Sequence, residues 1–99
     1  MGCLVWNCRG LGNPLLKREL EDLIQAQTPL IVFLSETWVD KEQLDRFKWK
    51  IKYASLFVVQ SQDRGGGLAL LWQKGVSVLV DSFSKFHIDA LINGGTNEV

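Results

Sequence analysis

The sequence is short of cysteine, of histidine and of any excess of charge of one sign. It has 2 cysteines, 1 histidine, and 11 basic residues balanced by 11 acidic ones. A free-standing module that binds nucleic-acid backbone over a wide surface usually carries a basic excess, so neutrality argues against that class. No apolar stretch approaches the roughly 20 residues of a membrane-spanning helix, so we expect no membrane contact.

The two cysteines indicate a reduced, intracellular protein. Cys3 and Cys8 lie in one extended run, where about 3.3 Å per residue separates them by about 16 Å on opposite faces, beyond disulfide reach. The start of the chain has neither the basic residues nor the small-residue cleavage site of a secretory signal. We therefore expect a nuclear or cytoplasmic location and no secretion.

Two short apolar runs, each followed at once by polar side chains, organise the chain. Cys3–Trp6 ends on Asn7, and Leu30–Leu34 ends on Ser35 and Glu36. A strand–helix–strand order usually makes the two strands parallel, so Asn7 and Glu36 should meet at one edge of the sheet. Amide and carboxylate oxygens at that edge suit a hard divalent cation that keeps most of its water. The alternative is that Glu36 is an exposed residue that simply opens the next loop.

Signals for a helix occur between the two apolar runs, and signals for another helix occur after the second run. Asn13-Pro14 predicts a helix N-cap with proline in the first turn, and Thr28-Pro29 predicts the end of that helix. The apolar stripe that should face the core comprises Leu16, Leu20, Leu23 and Ile24. Asp40 followed by Gln43 predicts a capping box for a second, short helix.

Lysines alternate with large apolar residues in Lys48–Tyr53. The period of two predicts a half-buried strand or loop whose lysines keep it soluble and discourage edge pairing. The alternative is a strip of lysines that contacts phosphates, with aromatic rings available for stacking.

The last part of the chain predicts an antiparallel meander. Strands are expected at Leu56–Val59, Leu68–Trp72, 76–80 and 86–92, and a turn at Gln62–Gly67. The glycines of that turn have no following lysine and helix at phosphate-loop spacing, so we interpret them as a turn with close strand packing.

Two motifs resemble the opening of the endonuclease/exonuclease/phosphatase superfamily: WNCRGLG at Trp6–Gly12 and LSETW at Leu34–Trp38. The likeness is to the apurinic-endonuclease-like domain that opens the reverse-transcriptase polyproteins of LINE-type (non-LTR) retroelements, especially those of plants. GGGLALLW at Gly65–Trp72 and FHIDALI at Phe86–Ile92 also fit that subgroup.

The resemblance implies a site, a cofactor and a substrate. In the family, the Asn and Glu of these motifs hold a catalytic magnesium, and they match Asn7 and Glu36. The implied cofactor is Mg²⁺ or Mn²⁺, and the implied activity is DNA nicking by phosphodiester hydrolysis. One departure is Arg9, which stands where DNA-repair members commonly carry Asp.

The resemblance also implies a fold, a four-layer α/β sandwich with two sheets face to face and helices outside. This chain would be its N-terminal half, a strand–helix–strand unit followed by the antiparallel meander. We expect residues 1–99 to be a partial domain, truncated at the C-terminus, that supplies roughly the first sheet. Its apolar inner face would then be exposed, and copies of the chain could self-associate through it.

The family's remaining catalytic groups are a Tyr, an Asp-x-Asn pair and a final Asp-His pair, and nothing after Phe86 offers them. His87 precedes Ile88-Asp89 and does not match the catalytic pair, so we interpret it as a surface histidine beside Asp89. A metal bound by one carboxylate and one neutral amide should be weak, in the millimolar range at best. We therefore expect no measurable nicking by this chain alone.

Three functions stay open at this point. The first is a fragment of a retroelement endonuclease with little or no activity. The second is a non-catalytic interaction remnant whose exposed sheet face binds another chain. The third is membership of the phosphatase branch, which acts on inositol phosphates. The retroelement-like segments GGGLALLW at Gly65–Trp72 and HIDA at His87–Ala90 weigh against it.

Overall fold

Helices and strands alternate at first, and strands follow, as the apolar patterns predict. The computed structural model describes residues 2–60, 66–93 and 97–98. The elements are β1 (Cys3–Asn7), α1 (Pro14–Gln27), β2 (Ile31–Ser35), α2 (Lys41–Ile51), β3 (Ser55–Val59), β4 (Leu68–Trp72), β5 (Ser77–Phe83), β6 (Ile88–Asn93) and β7 (Asn97–Glu98). The predicted α/β class is confirmed, and these elements form three of the four expected layers: helices, first sheet and second sheet.

The first strand–helix–strand unit has the predicted geometry. The Asn13 side chain accepts the N–H of Leu15 at 2.9 Å and so caps α1, with Pro14 at its start. Thr28 ends the helix in the left-handed region, at φ 44°. β1 and β2 pair in parallel with Asn7 opposite Ser35, so both strands end at the same edge.

One core lies between the helices and the first sheet. Leu20 and Ile24 of α1 are buried there, as the stripe predicted, while Leu16 and Leu23 are half-buried. The other buried members of this core come from the loop after β1, from β2, α2 and β4 and from the residues beside them: Cys8, Leu11, Val32, Leu34, Leu44, Phe47, Tyr53, Ala69 and Leu71.

The prediction of a strand or loop at Lys48–Tyr53 was wrong for residues 48–51, because α2 continues through Ile51. The predicted capping box is present: the Asp40 side chain accepts the N–H of Gln43 at 2.9 Å and starts the helix. Lysines near a helix C-terminus interact favourably with its dipole, which favours helix over strand in this segment. Trp49, expected on a buried face, is 74% exposed.

The first sheet has the order β1-β2-β4-β3, with β4 antiparallel to both of its neighbours. The second sheet, β5-β6-β7, is antiparallel throughout. The antiparallel pairing of the later strands is thus confirmed, but their division between two sheets was not predicted.

The expectation that the chain supplies only the first sheet was also wrong. A second core lies between the sheets, where Leu70 of β4 and Ile88, Ala90 and Ile92 of β6 are buried. The second sheet therefore covers the part of that face formed by β2, β3 and β4, whereas Val5 of β1, the register partner of Phe33, remains 65% exposed on it. Apolar side chains are also exposed on the other face of the second sheet, where Leu79 (63% exposed) pairs with Leu91 (45% exposed).

Candidate functional site

The candidate site lies where β1 and β2 end, and there the two strands continue as paired loops. The N–H of Cys8 donates to the Ser35 carbonyl at 2.9 Å. The N–H of Gly10 then donates to the Glu36 carbonyl at 2.9 Å, and that of Leu11 to Thr37 at 2.8 Å. The backbone of Glu36 is therefore fixed by a continuation of the parallel sheet.

The loop after β2, which we call the site loop (Ser35–Trp38), is also held on its other side. The N–H of Thr37 donates to the Gly67 carbonyl at 3.3 Å, and the N–H of Trp38 to the Gly66 carbonyl at 3.1 Å. The site loop therefore lies between the exit of β1 and the residues that lead into β4.

Two glycines allow this close approach. A Cβ on Gly67 would lie 2.5 Å from Thr37 Oγ1, and a Cβ on Gly10 would lie 2.6 Å from Cε3 of the Trp38 ring. Both glycines have positive φ, 93° and 99°, a region that side chains other than hydrogen disfavour. Thr37 is only 1% exposed, so it has no room to move away.

The carboxylate of Glu36 is held by two N–H donors. Its Oε2 accepts from the indole Nε1 of Trp38 at 2.6 Å and from the N–H of Gly66 at 3.1 Å. Glu36 and Trp38 have φ of 52° and 56°, which is uncommon for residues other than glycine. Hydrogen bonds on both sides of the site loop hold this backbone, and it presents the half-buried Glu36 side chain at the sheet edge.

Asn7 is exposed at the same edge. Its Oδ1 accepts the N–H of Arg9 at 3.2 Å, a local turn that leaves the oxygen with a second lone pair. The pairing of Asn7 with Ser35 puts it beside the residue that precedes Glu36. The predicted edge position of both residues is confirmed, and their roles as metal ligands stay predictions.

The donor set fits a hard cation. Across residues 2–60, 66–93 and 97–98, no group of three or more His, Cys, Asp and Glu side chains is placed to hold a metal ion. Glu36 offers a carboxylate and Asn7 an amide oxygen, the ligand types of Mg²⁺, which keeps several waters and often completes its shell with phosphate.

His87 lies outside this site, as predicted. Its Nδ1 is 2.7 Å from Ser84 Oγ and its Nε2 is 3.5 Å from a carboxylate oxygen of Asp89. Both His87 and Asp89 are largely exposed, and His87 lies just before β6. The prediction of a surface histidine beside Asp89 is confirmed.

Sequence reasoning missed the residues that hold Glu36. Trp38 was noted only as part of a motif, and Gly66 only as part of a turn at Gln62–Gly67, of which residues 62–65 lie outside the described residues. The sequence does contain a usable signal: Trp38 follows Glu36 by two positions at the end of a strand. Because an indole carries one N–H donor and no acceptor, it can hold a nearby carboxylate.

Comparison with known proteins gives one family and one fold. The sequence model described as "Endonuclease/Exonuclease/phosphatase family" matches residues 4–97. Among solved structures, an AP endonuclease from Archaeoglobus fulgidus is similar, with a TM-score of 0.66 and 20% identity over 95% of this chain and 38% of that one. At that identity the likeness concerns the fold, and this chain spans 38% of the length of that structure. Curated protein sequences give no match.

The helices give no sign of a membrane span. Neither α1 nor α2, the two helices in the described part of the chain, has the length and apolar character needed to cross a bilayer.

Proposed function

Since the chain belongs to the endonuclease/exonuclease/phosphatase family, we propose that it is the N-terminal part of a metal-dependent phosphodiesterase domain that acts on DNA inside the cell. The observation that carries the proposal is the Glu36 carboxylate, oriented by two N–H donors at the carboxyl edge of a parallel strand pair. Ligands of α/β sheets bind at such edges.

Glu36 would hold Mg²⁺ or Mn²⁺ through its carboxylate, and Asn7 would add an amide oxygen from the neighbouring strand. Such an ion, when bound, polarises a phosphodiester and stabilises the departing 3′ oxygen. The chain's own contribution is orientation. Trp38 and Gly66 fix the carboxylate, and the hydrogen bonds from Cys8, Gly10 and Leu11 to the site loop fix its backbone.

We further propose that residues 1–99 are a partial domain derived from a LINE-type retroelement of plant-like kind. The four sequence segments of that subgroup support this origin, and the 38% coverage of the similar AP endonuclease fits a partial domain. In-line attack also needs a group that activates water and donors for the phosphoryl oxygens. The resemblance assigns these to motifs beyond this sequence, so the chain alone should not nick DNA.

Plasmid nicking tests the proposal in two proteins, the 99-residue chain and the chain extended by a complete C-terminal half from a related domain. With Mg²⁺, the chain alone should leave supercoiled plasmid intact and the extended protein should nick it. Glu36→Gln should abolish nicking, because the ion loses its charged ligand.

The matched control is Glu42→Gln, which alters an exposed Glu that pairs with Arg46 on α2. It should nick at the wild-type rate. Metal-dependent nicking by the chain alone would contradict the partial-domain proposal, and nicking that survives Glu36→Gln would contradict the site.

A second candidate, a non-catalytic interaction role, is favoured by one observation, the exposed pair Leu79 and Leu91 on the second sheet. Copies of the chain would self-associate through this face, with no metal requirement. Light scattering at micromolar concentration should then report a mass above the monomer that falls with Leu79→Lys and does not respond to chelator. A monomer at all concentrations would rule this role out.

A further inference from the structure

We propose that Trp38 is a positioning residue that makes the site favour Mg²⁺ over Ca²⁺ by occupying one oxygen of Glu36. This inference rests on the proposed function, in which Glu36 holds a divalent cation. It concerns how the carboxylate is offered to the ion, and therefore which ion the site accepts.

The two hydrogen bonds to Glu36 fall on the same oxygen. Trp38 Nε1 lies 2.6 Å from Oε2, and the N–H of Gly66 lies 3.1 Å from it. Hydrogen bonds from N–H groups to a carboxylate are charge-assisted and stronger than neutral ones. Oε1 is therefore the oxygen that these two donors leave for a metal ion.

The position of the indole is itself fixed. One edge of the Trp38 ring lies over Gly10, so closely that a Cβ there would be 2.6 Å from Cε3. The backbone N–H of Trp38 donates to the Gly66 carbonyl at 3.1 Å. The side chain is nevertheless 52% exposed, so burial alone does not explain its placement against a carboxylate.

Mg²⁺ and Ca²⁺ differ in how they use a carboxylate. Ca²⁺ takes 6–8 oxygens at about 2.3–2.6 Å and readily binds a carboxylate through both oxygens. Mg²⁺ requires near-octahedral geometry at about 2.0–2.1 Å and is bound by one or two carboxylates with several waters retained. A carboxylate whose Oε2 is already bonded can offer Oε1 alone, which suits Mg²⁺. Two-oxygen binding of Ca²⁺ would compete with both N–H donors, Trp38 Nε1 and Gly66, for Oε2.

Indole suits this role because it cannot act as a ligand. Its Nε1–H is a donor with no acceptor capacity, so it holds Oε2 without competing with Glu36 for the ion. Partners that orient metal ligands typically affect affinity by about 10–100-fold when they are removed.

The test is a chemical-shift titration of the full chain with MgCl₂ and, separately, with CaCl₂. Trp38→Phe keeps an aromatic ring over Gly10 and removes the N–H. It should weaken Mg²⁺ binding by about tenfold and change Ca²⁺ binding less, so that the ratio of the two affinities shifts toward Ca²⁺. Trp49→Phe, at an exposed position on α2, is the matched control and should leave both affinities unchanged.

A second measurement uses the wild-type chain and does not depend on the folding of a variant. The Trp38 indole proton should exchange slowly with water when Mg²⁺ is bound, because its bond to Oε2 persists. Saturating Ca²⁺ should speed that exchange, because two-oxygen binding competes for Oε2 and weakens the indole bond. The indole signals of Trp6 and Trp49 serve as internal references.

The outcomes separate the inference from the function on which it rests. No Mg²⁺ binding by the wild-type chain would overturn the metal site, and the role of Trp38 with it. Mg²⁺ binding with the same affinity ratio in Trp38→Phe as in wild type would overturn the role of Trp38 alone. An equal exchange rate of the Trp38 indole proton with Mg²⁺ and with Ca²⁺ bound would also overturn the role of Trp38 alone.

Discussion

The two ends of the first sheet both carry a cluster of polar groups, and the clusters differ in charge. Beside the amino end of β2, the Tyr53 hydroxyl and the Gln73 side-chain amide both donate to the Pro29 carbonyl, the latter at 2.7 Å. At the carboxyl end, Trp38 and Gly66 donate to a carboxylate.

The difference in charge indicates which of the two clusters is structural. At the amino end, neutral donors meet a neutral carbonyl, and Tyr53 and Pro29 are buried, so the cluster closes the core without a net charge. Burial raises the pKa of the Tyr53 hydroxyl, which keeps it a donor. At the carboxyl end the acceptor, Glu36, is half-buried. A carboxylate held in this way suits a cation, which is why the proposed function is placed at this end and a stabilising role at the other.

The largest expected effect comes from filling the space between the site loop and β4. Gly67→Ala should lower the free energy of unfolding by about 2–4 kcal/mol, since it adds a clash with Thr37 to an unfavourable φ. Urea denaturation measures it. Gly75→Ala is the matched control, with φ of 91° against 93° and nothing within 4 Å of the added Cβ. Gly75→Ala should lower the free energy of unfolding by about 1 kcal/mol. If the two variants lost equal stability, the site loop would not be confined against Gly67.

A smaller effect is expected at the amino end. Tyr53→Phe removes the hydroxyl donor to Pro29 and should lower the free energy of unfolding by about 1–2 kcal/mol. Mg²⁺ affinity, measured by the same titration as for Trp38, should stay at the wild-type value. A loss of Mg²⁺ binding in the folded variant would break the division between a structural and a functional end.

The smallest effect on stability should come from Glu36→Gln. The side-chain oxygen of glutamine can still accept from Trp38, so only the charge assistance is lost, at about 1 kcal/mol or less. Mg²⁺ binding should nevertheless disappear. Destabilisation as large as that of Gly67→Ala would show that Glu36 is mainly structural, and Glu42→Gln controls for the loss of a negative charge.

Local signals predicted the first unit of the fold well. Asn13-Pro14 caps α1 where expected, and β2 lies within one residue of its predicted bounds. The strand Leu68–Trp72 has the predicted bounds. These features depend on residues close in the sequence, through capping hydrogen bonds and short apolar runs. A single sequence is therefore enough to predict them.

Features that depend on distant residues were not predictable in this way. Lys48–Tyr53 alternates with a period of two, yet the helix that starts at the Asp40 cap runs on into it. The bond between Gly66 and Glu36 depends on how β4 pairs with β2. The order of strands in a sheet depends on contacts between residues far apart in the sequence, so a local sequence pattern does not predict it.

The place of β4 between β2 and β3 has a consequence for synthesis on the ribosome. One edge of β2 has its partner only in Leu68–Trp72, so at about 5–20 residues per second it stays open for several seconds after β2 is made. An apolar strand with an open edge is a template for pairing with other chains. Docking of the β3–β4 hairpin as one unit would close that edge, at the step where the growing chain is most prone to aggregate.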